Sequence, residues 1–334
     1  MQYRQLGSTN LAVSTVAFGV WSISTGWWGK VEKADAIRLL QQALGLGVTL
    51  FDTADTYAEG YGEELLGEAL GKRRHDIVIG TKFGYDWYNQ QPREGHRERP
   101  QRWDAEFIRY ACEQSLRRLG TDYLDLYQLH NPRIETIQND EVFRTLDALV
   151  EEGKVRYYGT ALGPDIGWRA EGDASMAERR VPSMQVIYSI IEQQPARYFF
   201  PTANQEGTGL LARVPHASEI LTDQFESQTK VKFDPSDHRS HRRQEWLDTA
   251  FRKREKVKFI AQGTGRTLAQ AAIQFSLSEP SIAAVLPNIT TEAQLREFAA
   301  GAGVPPLAEE ELAELHRLYD EEFAALEAIQ PQRA

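Results

Sequence analysis

Short apolar runs recur along the chain, and between them lie longer stretches in which apolar side chains return every third or fourth position. The first pattern belongs to strands buried on both faces, the second to helices that bury one face. Runs at 15–20, 48–51, 76–82, 124–130, 155–160, 183–188, 209–213 and 282–286 predict strands. Helical spacing predicts helices over 33–46, 63–70, 105–119, 141–151 and 291–300, the first of them closed by Gly45 and Gly47. Ahead of these units, residues 3–6, a polar turn on Gly7-Ser8-Thr9-Asn10, and Ala12-Val13 predict an N-terminal β-hairpin that acts as a plug. About eight strand-and-helix units in succession predict an α/β fold, a single (β/α)₈ TIM barrel with a C-terminal helix. A doubly wound open sheet is the competing architecture. It would carry a glycine-rich fingerprint after the first strand, and Gly19-Val20-Trp21-Ser22 is not one.

Composition narrows the picture. No shift in composition marks a second domain, so residues 1–334 are expected to form one barrel domain. A formal net charge of −10 argues against nucleic acid, whose phosphates demand a basic face. No apolar run approaches the roughly 20 residues of a membrane helix, and no secretory signal is expected. The single cysteine, Cys112, cannot form an internal disulfide, which suits a cytoplasmic setting; it reads as a small apolar residue on a helix face. No metal site is expected. Two long polar connections, 85–102 and 222–243, are of the length that usually marks lids or binding loops.

In a barrel, chemistry sits at the C-terminal ends of the strands. Three successive predicted strands end in Asp52, Lys82 and His130, and Tyr57 follows on the loop above the first. A free tyrosine is a poor acid near neutrality, but an ammonium beside a phenol stabilises the phenolate. Lys82 supplies that ammonium. Asp52 is its natural counter-ion where water is excluded. His130 can hydrogen-bond a substrate oxygen or relay a proton. The group suits proton donation to a carbonyl oxygen while hydride, for which a nicotinamide is the economical source, attacks the carbon.

Several motifs then coincide with one family. Tyr3-Arg4-Gln5-Leu6-Gly7, Phe51-Asp52-Thr53-Ala54-Asp55-Thr56-Tyr57, Thr81-Lys82-Phe83, Asp125-Leu126-Tyr127-Gln128-Leu129-His130 and Leu286-Pro287 resemble the aldo-keto reductases nearly end to end. The resemblance implies a barrel that binds NADP(H), less often NAD(H), and a tetrad of Asp52, Tyr57, Lys82 and His130 that reduces carbonyls. It also implies cofactor contacts from Trp21, Asp52, Gln185, Arg213, Val214, His216, Ser218, Asn288, Thr290 and Gln294. Two departures stand out. The family usually has Ser-Asn after the fifth strand to hold the nicotinamide carboxamide, where this chain reads Gly159-Thr160-Ala161-Leu162. Arg213 stands where many members have a stacking tyrosine, and a planar guanidinium can stack too.

The segment 286–294, where the family often places a cation against the 2′-phosphate of NADPH, has none. Arg239 and Arg242, near the end of the 222–243 connection, are the expected substitutes, with the connection acting as a clasp over the cofactor phosphates. Trp21, Trp28, Tyr85, Trp87 and Tyr88 are expected to wall the substrate pocket, a surface suited to sugars and aromatic carbonyls alike. The expected partner is a small carbonyl or sugar, and the expected state a monomer or small homo-oligomer. Two other readings stay open: a cofactor-sensing or assembly barrel without turnover, and a lyase or isomerase with Lys82 as a Schiff base.

Overall fold

The structure, a computed structural model, describes residues 1–89, 98–163, 168–225, 233–241 and 244–324. Strands β1 (Tyr3–Gln5) and β2 (Ala12–Ser14) pair antiparallel, with Tyr3 opposite Ser14. Eight further strands, each parallel to the next, succeed one another around a sheet in chain order. They are β3 (Phe18–Gly19), β4 (Leu50–Asp52), β5 (Val78–Phe83), β6 (Leu124–His130), β7 (Val155–Ala161), β8 (Ser183–Ile187), β9 (Gly209–Arg213) and β10 (Ile282–Leu286). A parallel bridge between Val16 and Val285 joins the last strand to the chain just ahead of the first. Ala17 N donates to Val285 O and Val285 N to Thr15 O, both at 2.9 Å, so the ring has no long unpaired edge. With helices between the strands, this is a (β/α)₈ barrel.

The hairpin fills the barrel's N-terminal end. Its Leu6, Leu11 and Val13 form one buried apolar cluster with Leu50, Val78, Leu126, Leu211 and Ala284 from five different barrel strands. The larger core lies outside the ring, between strands and helices. Three strands, β6, β9 and β10, occupy the ranges their apolar runs predict, and the helices Lys33–Gly45 and Ala105–Leu119 match theirs to within a residue. Asp104 caps the second of these by accepting from Phe107 N at 3.1 Å. Helices Ala196–Glu206, Gln244–Val257 and Leu268–Leu277 are not predicted by apolar spacing, and Glu309–Leu318 supplies the expected C-terminal helix. Among the described residues no helix is long and apolar enough to cross a membrane.

Candidate active site

Asp52 ends β4, Lys82 is the penultimate residue of β5 and His130 ends β6, so neighbouring strands deliver all three to the same rim. Tyr57 arrives from the loop above β4. Three successive residues after it, Ala58, Glu59 and Gly60, have φ of 47°, 57° and 91° and lead into the helix Tyr61–Leu70. Left-handed backbone at non-glycine residues is strained and is found at functional sites. A side chain at Gly60 would be strained at this φ and would push on Arg118, since a Cβ there would fall 2.6 Å from Arg118 Cδ.

Lys82 is buried, with its ammonium hydrogen-bonded three ways. Nζ donates to Asp52 Oδ1 at 2.5 Å, to Thr53 O at 2.8 Å and to the Tyr57 hydroxyl at 3.2 Å. Burial alone would push the lysine's pKa down, but the Asp52 carboxylate and the Tyr57 phenol together outweigh it and hold the pKa above the ordinary value. Near neutral pH Lys82 is therefore an ammonium. His130 is buried too, its ring edge-on to Tyr57 at 5.9 Å and to Tyr85 at 5.0 Å. Desolvation, with Lys82 and Arg213 nearby, puts its pKa well below that of free histidine. The imidazole is neutral at pH 7, and it can donate to or accept from an oxygen without adding charge.

These groups open onto a cavity of about 1090 Å³. From Asp52, Tyr57 and His130 it extends past Trp21, Trp28, Tyr85 and Gln185 to Arg213, Val214, Ser218 and Asn288, all of which line it. That volume is at the top of the range for ligand pockets and exceeds what a small carbonyl compound fills. The lining mixes apolar walls with carboxamide, hydroxyl and guanidinium groups, a fit for a dinucleotide. Asn131 and Trp168, to which the sequence did not point, also line it, as does Trp27. Asn131 had a signal, since it directly follows His130 at a strand end.

Other expected contacts lie elsewhere. His216 is buried against Phe298, ring centroids 4.3 Å apart, with Nε2 donating to Ala269 O at 3.2 Å. Thr290 and Gln294 hydrogen-bond one another at the start of the helix Glu292–Gly301, where Gln294 completes a capping box with Thr291. Trp87 and Tyr88 stack at 4.2 Å under the Arg118 guanidinium, and the Tyr88 hydroxyl donates to Asp55 Oδ2 at 3.3 Å. None of these lines the cavity.

Arg239 is also turned inward. Its guanidinium meets Asp237 through two bonds, at 2.9 and 2.7 Å, and Glu219 through one at 3.1 Å, and it lies over the Trp28 ring. Taking a buried guanidinium from two carboxylates is expensive, so Arg239 is an internal tie rather than a cation waiting for phosphate. Arg242 and Arg243 lie outside the described residues, as do Arg93, His96 and Arg97 of the other long connection. Within the 222–243 connection, His238 lines the cavity, its N donates to Trp27 O at 2.7 Å, and the two rings stack at 5.9 Å.

A buried carboxylate and ammonium bonded to each other and to a half-buried phenol at the C-terminal mouth of a (β/α)₈ barrel, beside a cavity of this size, fit a barrel oxidoreductase of the dinucleotide-dependent kind. The aldo/keto reductase family model matches residues 15–320. The uncharacterized oxidoreductase YqkF of Bacillus subtilis is 31% identical over 318 residues, covering 94% of this chain and 95% of that one. A probable voltage-gated potassium channel subunit beta of Arabidopsis thaliana is 31% identical over 322 residues, covering 92% and 93%. Among solved structures, the holo form of aldo-keto reductase AKR11C1 from Bacillus halodurans superposes with a TM-score of 0.78 at 29% identity, covering 95% and 96% of the two chains. The chain belongs to the aldo/keto reductase family. It is an oxidoreductase that uses a nicotinamide cofactor to reduce small carbonyl compounds.

Proposed function

We propose that Tyr57 is the general acid that protonates the oxygen of a neutral aldehyde, ketone or sugar carbonyl, and the base when the alcohol is oxidised. The observation that carries this is the Lys82 ammonium, 3.2 Å from the phenolic oxygen and fixed there by two other bonds. As the phenol's proton leaves, the charge appearing on its oxygen meets a cation already in place, at no cost in reorganisation. Asp52 keeps that cation tolerable in a dry site. Neutral His130, edge-on to Tyr57, orients the substrate oxygen. A bound nicotinamide supplies the hydride, and Trp21, Gln185, Arg213, Val214, Ser218 and Asn288 would hold it.

Neutrality of the substrate is inferred from the rim. Arg99 is bonded to Glu59 at 2.5 Å and Arg133 to Glu98 at 2.9 Å, so these cations near the opening already have carboxylate partners. NADP(H) is favoured over NAD(H) on family grounds, but Arg239 is held by Asp237 and Glu219, and Arg296 by Glu292. Discrimination between the two cofactors is expected to be weak, within about tenfold in kcat/KM, equivalent to roughly 1.4 kcal/mol. Steady-state kinetics with both cofactors measures it, and a preference above a hundredfold would reveal a phosphate site that these residues do not form.

The plant relatives named as channel β subunits favour a second reading, a cofactor-binding barrel that senses or assembles. The complete tetrad weighs against its being the main role. A Schiff-base lyase is disfavoured because Lys82 is held as an ammonium with each N–H bonded, leaving no lone pair for a carbonyl carbon. The test is Tyr57→Phe. It should lower kcat by about 10² to 10⁴ with cofactor affinity nearly unchanged. More than a tenth of wild-type kcat, with chemistry rate-limiting, would end the assignment.

A further inference from the structure

The Asp52 carboxylate has two oxygens, and only Oδ1 faces Lys82. Oδ2 accepts from two carboxamides: Gln128 Nε2 at 3.2 Å and Gln185 Nε2, the closer of the two. Gln128 comes from β6 and must cross β5 to reach β4. Gly80, on β5 opposite Asp52, leaves the gap, since a Cβ there would stand 3.3 Å from Gln128 Nε2 and 3.4 Å from Asp52 Oδ2. Gln128 is fully buried, and its own Oε1 has no hydrogen-bond partner among the described residues. A buried carboxamide with an unmet acceptor is costly, and leucine or methionine would fill an apolar strand position without that cost. Only the donor gives this residue a reason to be polar.

An ammonium has three N–H bonds to give. In Lys82 one goes to Asp52 Oδ1, one to Thr53 O and one to the Tyr57 hydroxyl. A carboxylate with an idle second oxygen would compete for the third, because a charged acceptor binds an ammonium more strongly than a phenol does. We propose that Gln128, with Gln185, is a positioning residue: by occupying Asp52 Oδ2 it reserves the third N–H of Lys82 for Tyr57. Gln128 does not line the cavity, so its side chain is not placed to meet a ligand there. Gln185 does line it, and with its amide nitrogen on Asp52, its carbonyl oxygen is the end left for a ligand.

The inference rests on Tyr57 as the general acid, and the experiment separates the two. Gln128→Leu and Gln128→Met are compared with wild type and with Tyr57→Phe, and each Gln128 change is repeated in an Asp52→Asn background, where Oδ2 is no longer the oxygen of a carboxylate. In the wild-type background either substitution should lower kcat about tenfold or more, with KM for the cofactor unchanged within twofold. In Asp52→Asn the same substitution should cost less than about threefold, because the competition it prevents is already gone. A merely structural role would cost the same in both backgrounds and would follow loss of folded protein, read from thermal melts of each variant. Equal losses in the two backgrounds, or wild-type kcat in folded Gln128→Met, would overturn the proposal while a dead Tyr57→Phe left the general acid standing. An active Tyr57→Phe would remove both.

Discussion

Lys82 is a lysine with no freedom: it is buried, and its three donors are committed to a carboxylate, a peptide carbonyl and a phenol. Its contribution is therefore inseparable from that of Asp52. Removing one member of a buried ion pair strands the other, at a cost of about 3–5 kcal/mol, whereas removing both leaves no orphan charge. Asp52→Asn and Lys82→Met should each lower kcat by about 10² or more, and the double variant should be no slower than the worse single one. Its loss of melting temperature should also be smaller than the sum of the two single losses, and additive losses in both measurements would mean that the residues act independently. That Asp52, Tyr57, Lys82 and His130 come together was legible because each lies at the end of a strand or soon after one, a position that an apolar run marks directly. Gln128 was not, although it stands two residues before His130 and so on the same face of β6. A lone polar residue in an apolar run gives no hint of its partner. Likewise, Trp87 and Tyr88 look like pocket walls until Arg118, from the last turn of the helix Ala105–Leu119, is seen to hold them.

At the scale of elements, strands were easier to place than helices, and the reasons differ from case to case. Strands buried on both faces are continuously apolar and end abruptly, which is why β6, β9 and β10 coincide with their runs. Leu268–Leu277 is buried all round, so its sequence has no polar face from which to read a helical period. Ala196–Glu206 carries Pro201 inside it, and Gln244–Val257 is so charged that its apolar stripe is thin. The hairpin was legible from its turn, and its seat makes a prediction. Gly7, at φ of 53°, is so close to the barrel that a Cβ would fall 2.2 Å from Pro182 O and 2.4 Å from Gly209 N. Gly7→Ala must displace the plug or distort β8 and β9, a cost on the order of 3 kcal/mol from overpacking and backbone strain. Denaturant titration should show that loss, while kcat of the folded fraction stays near wild type because the plug lies at the end opposite the active site. A loss below about 1 kcal/mol would mean that the hairpin is not seated as described.

For the molecule as a whole, burial of titratable groups makes stability depend on pH. His216, inside the packing around Phe298, has its pKa pushed down to about 4, first by desolvation and against the opposing bond to Ala269 O. Below about pH 6.5 the unfolded chain takes up a proton at this residue that the folded chain refuses. Its contribution to stability therefore shrinks as pH falls from about 6.5 to about 4, by about 3 kcal/mol over the whole window. Glu219 works the other way. Its pKa is raised to about 7, mainly by burial and despite Arg239, so across the range from its ordinary value to about 7 it favours the folded state at the acid end. A comparison isolates the histidine. His216→Gln can keep the donor to Ala269 O but cannot titrate, so its stability relative to wild type should improve as the pH is lowered from about 7 to about 5. A difference that does not change with pH would assign His216 no such role.

Cys112 has a use that no catalytic argument supplies. It is the only thiol in the sequence, has 0% exposure, and burial pushes its pKa up to about 12. A thiol-reactive dye should therefore ignore the native enzyme and mark only molecules that have opened, one label per chain. Because a ligand that binds only the folded form lowers the open population in proportion to its occupancy, labelling slowed by NADPH or NADH would report cofactor affinity with no substrate present and no turnover. The protein thus carries its own stain for unfolding, with which a cofactor can be titrated before any substrate is chosen.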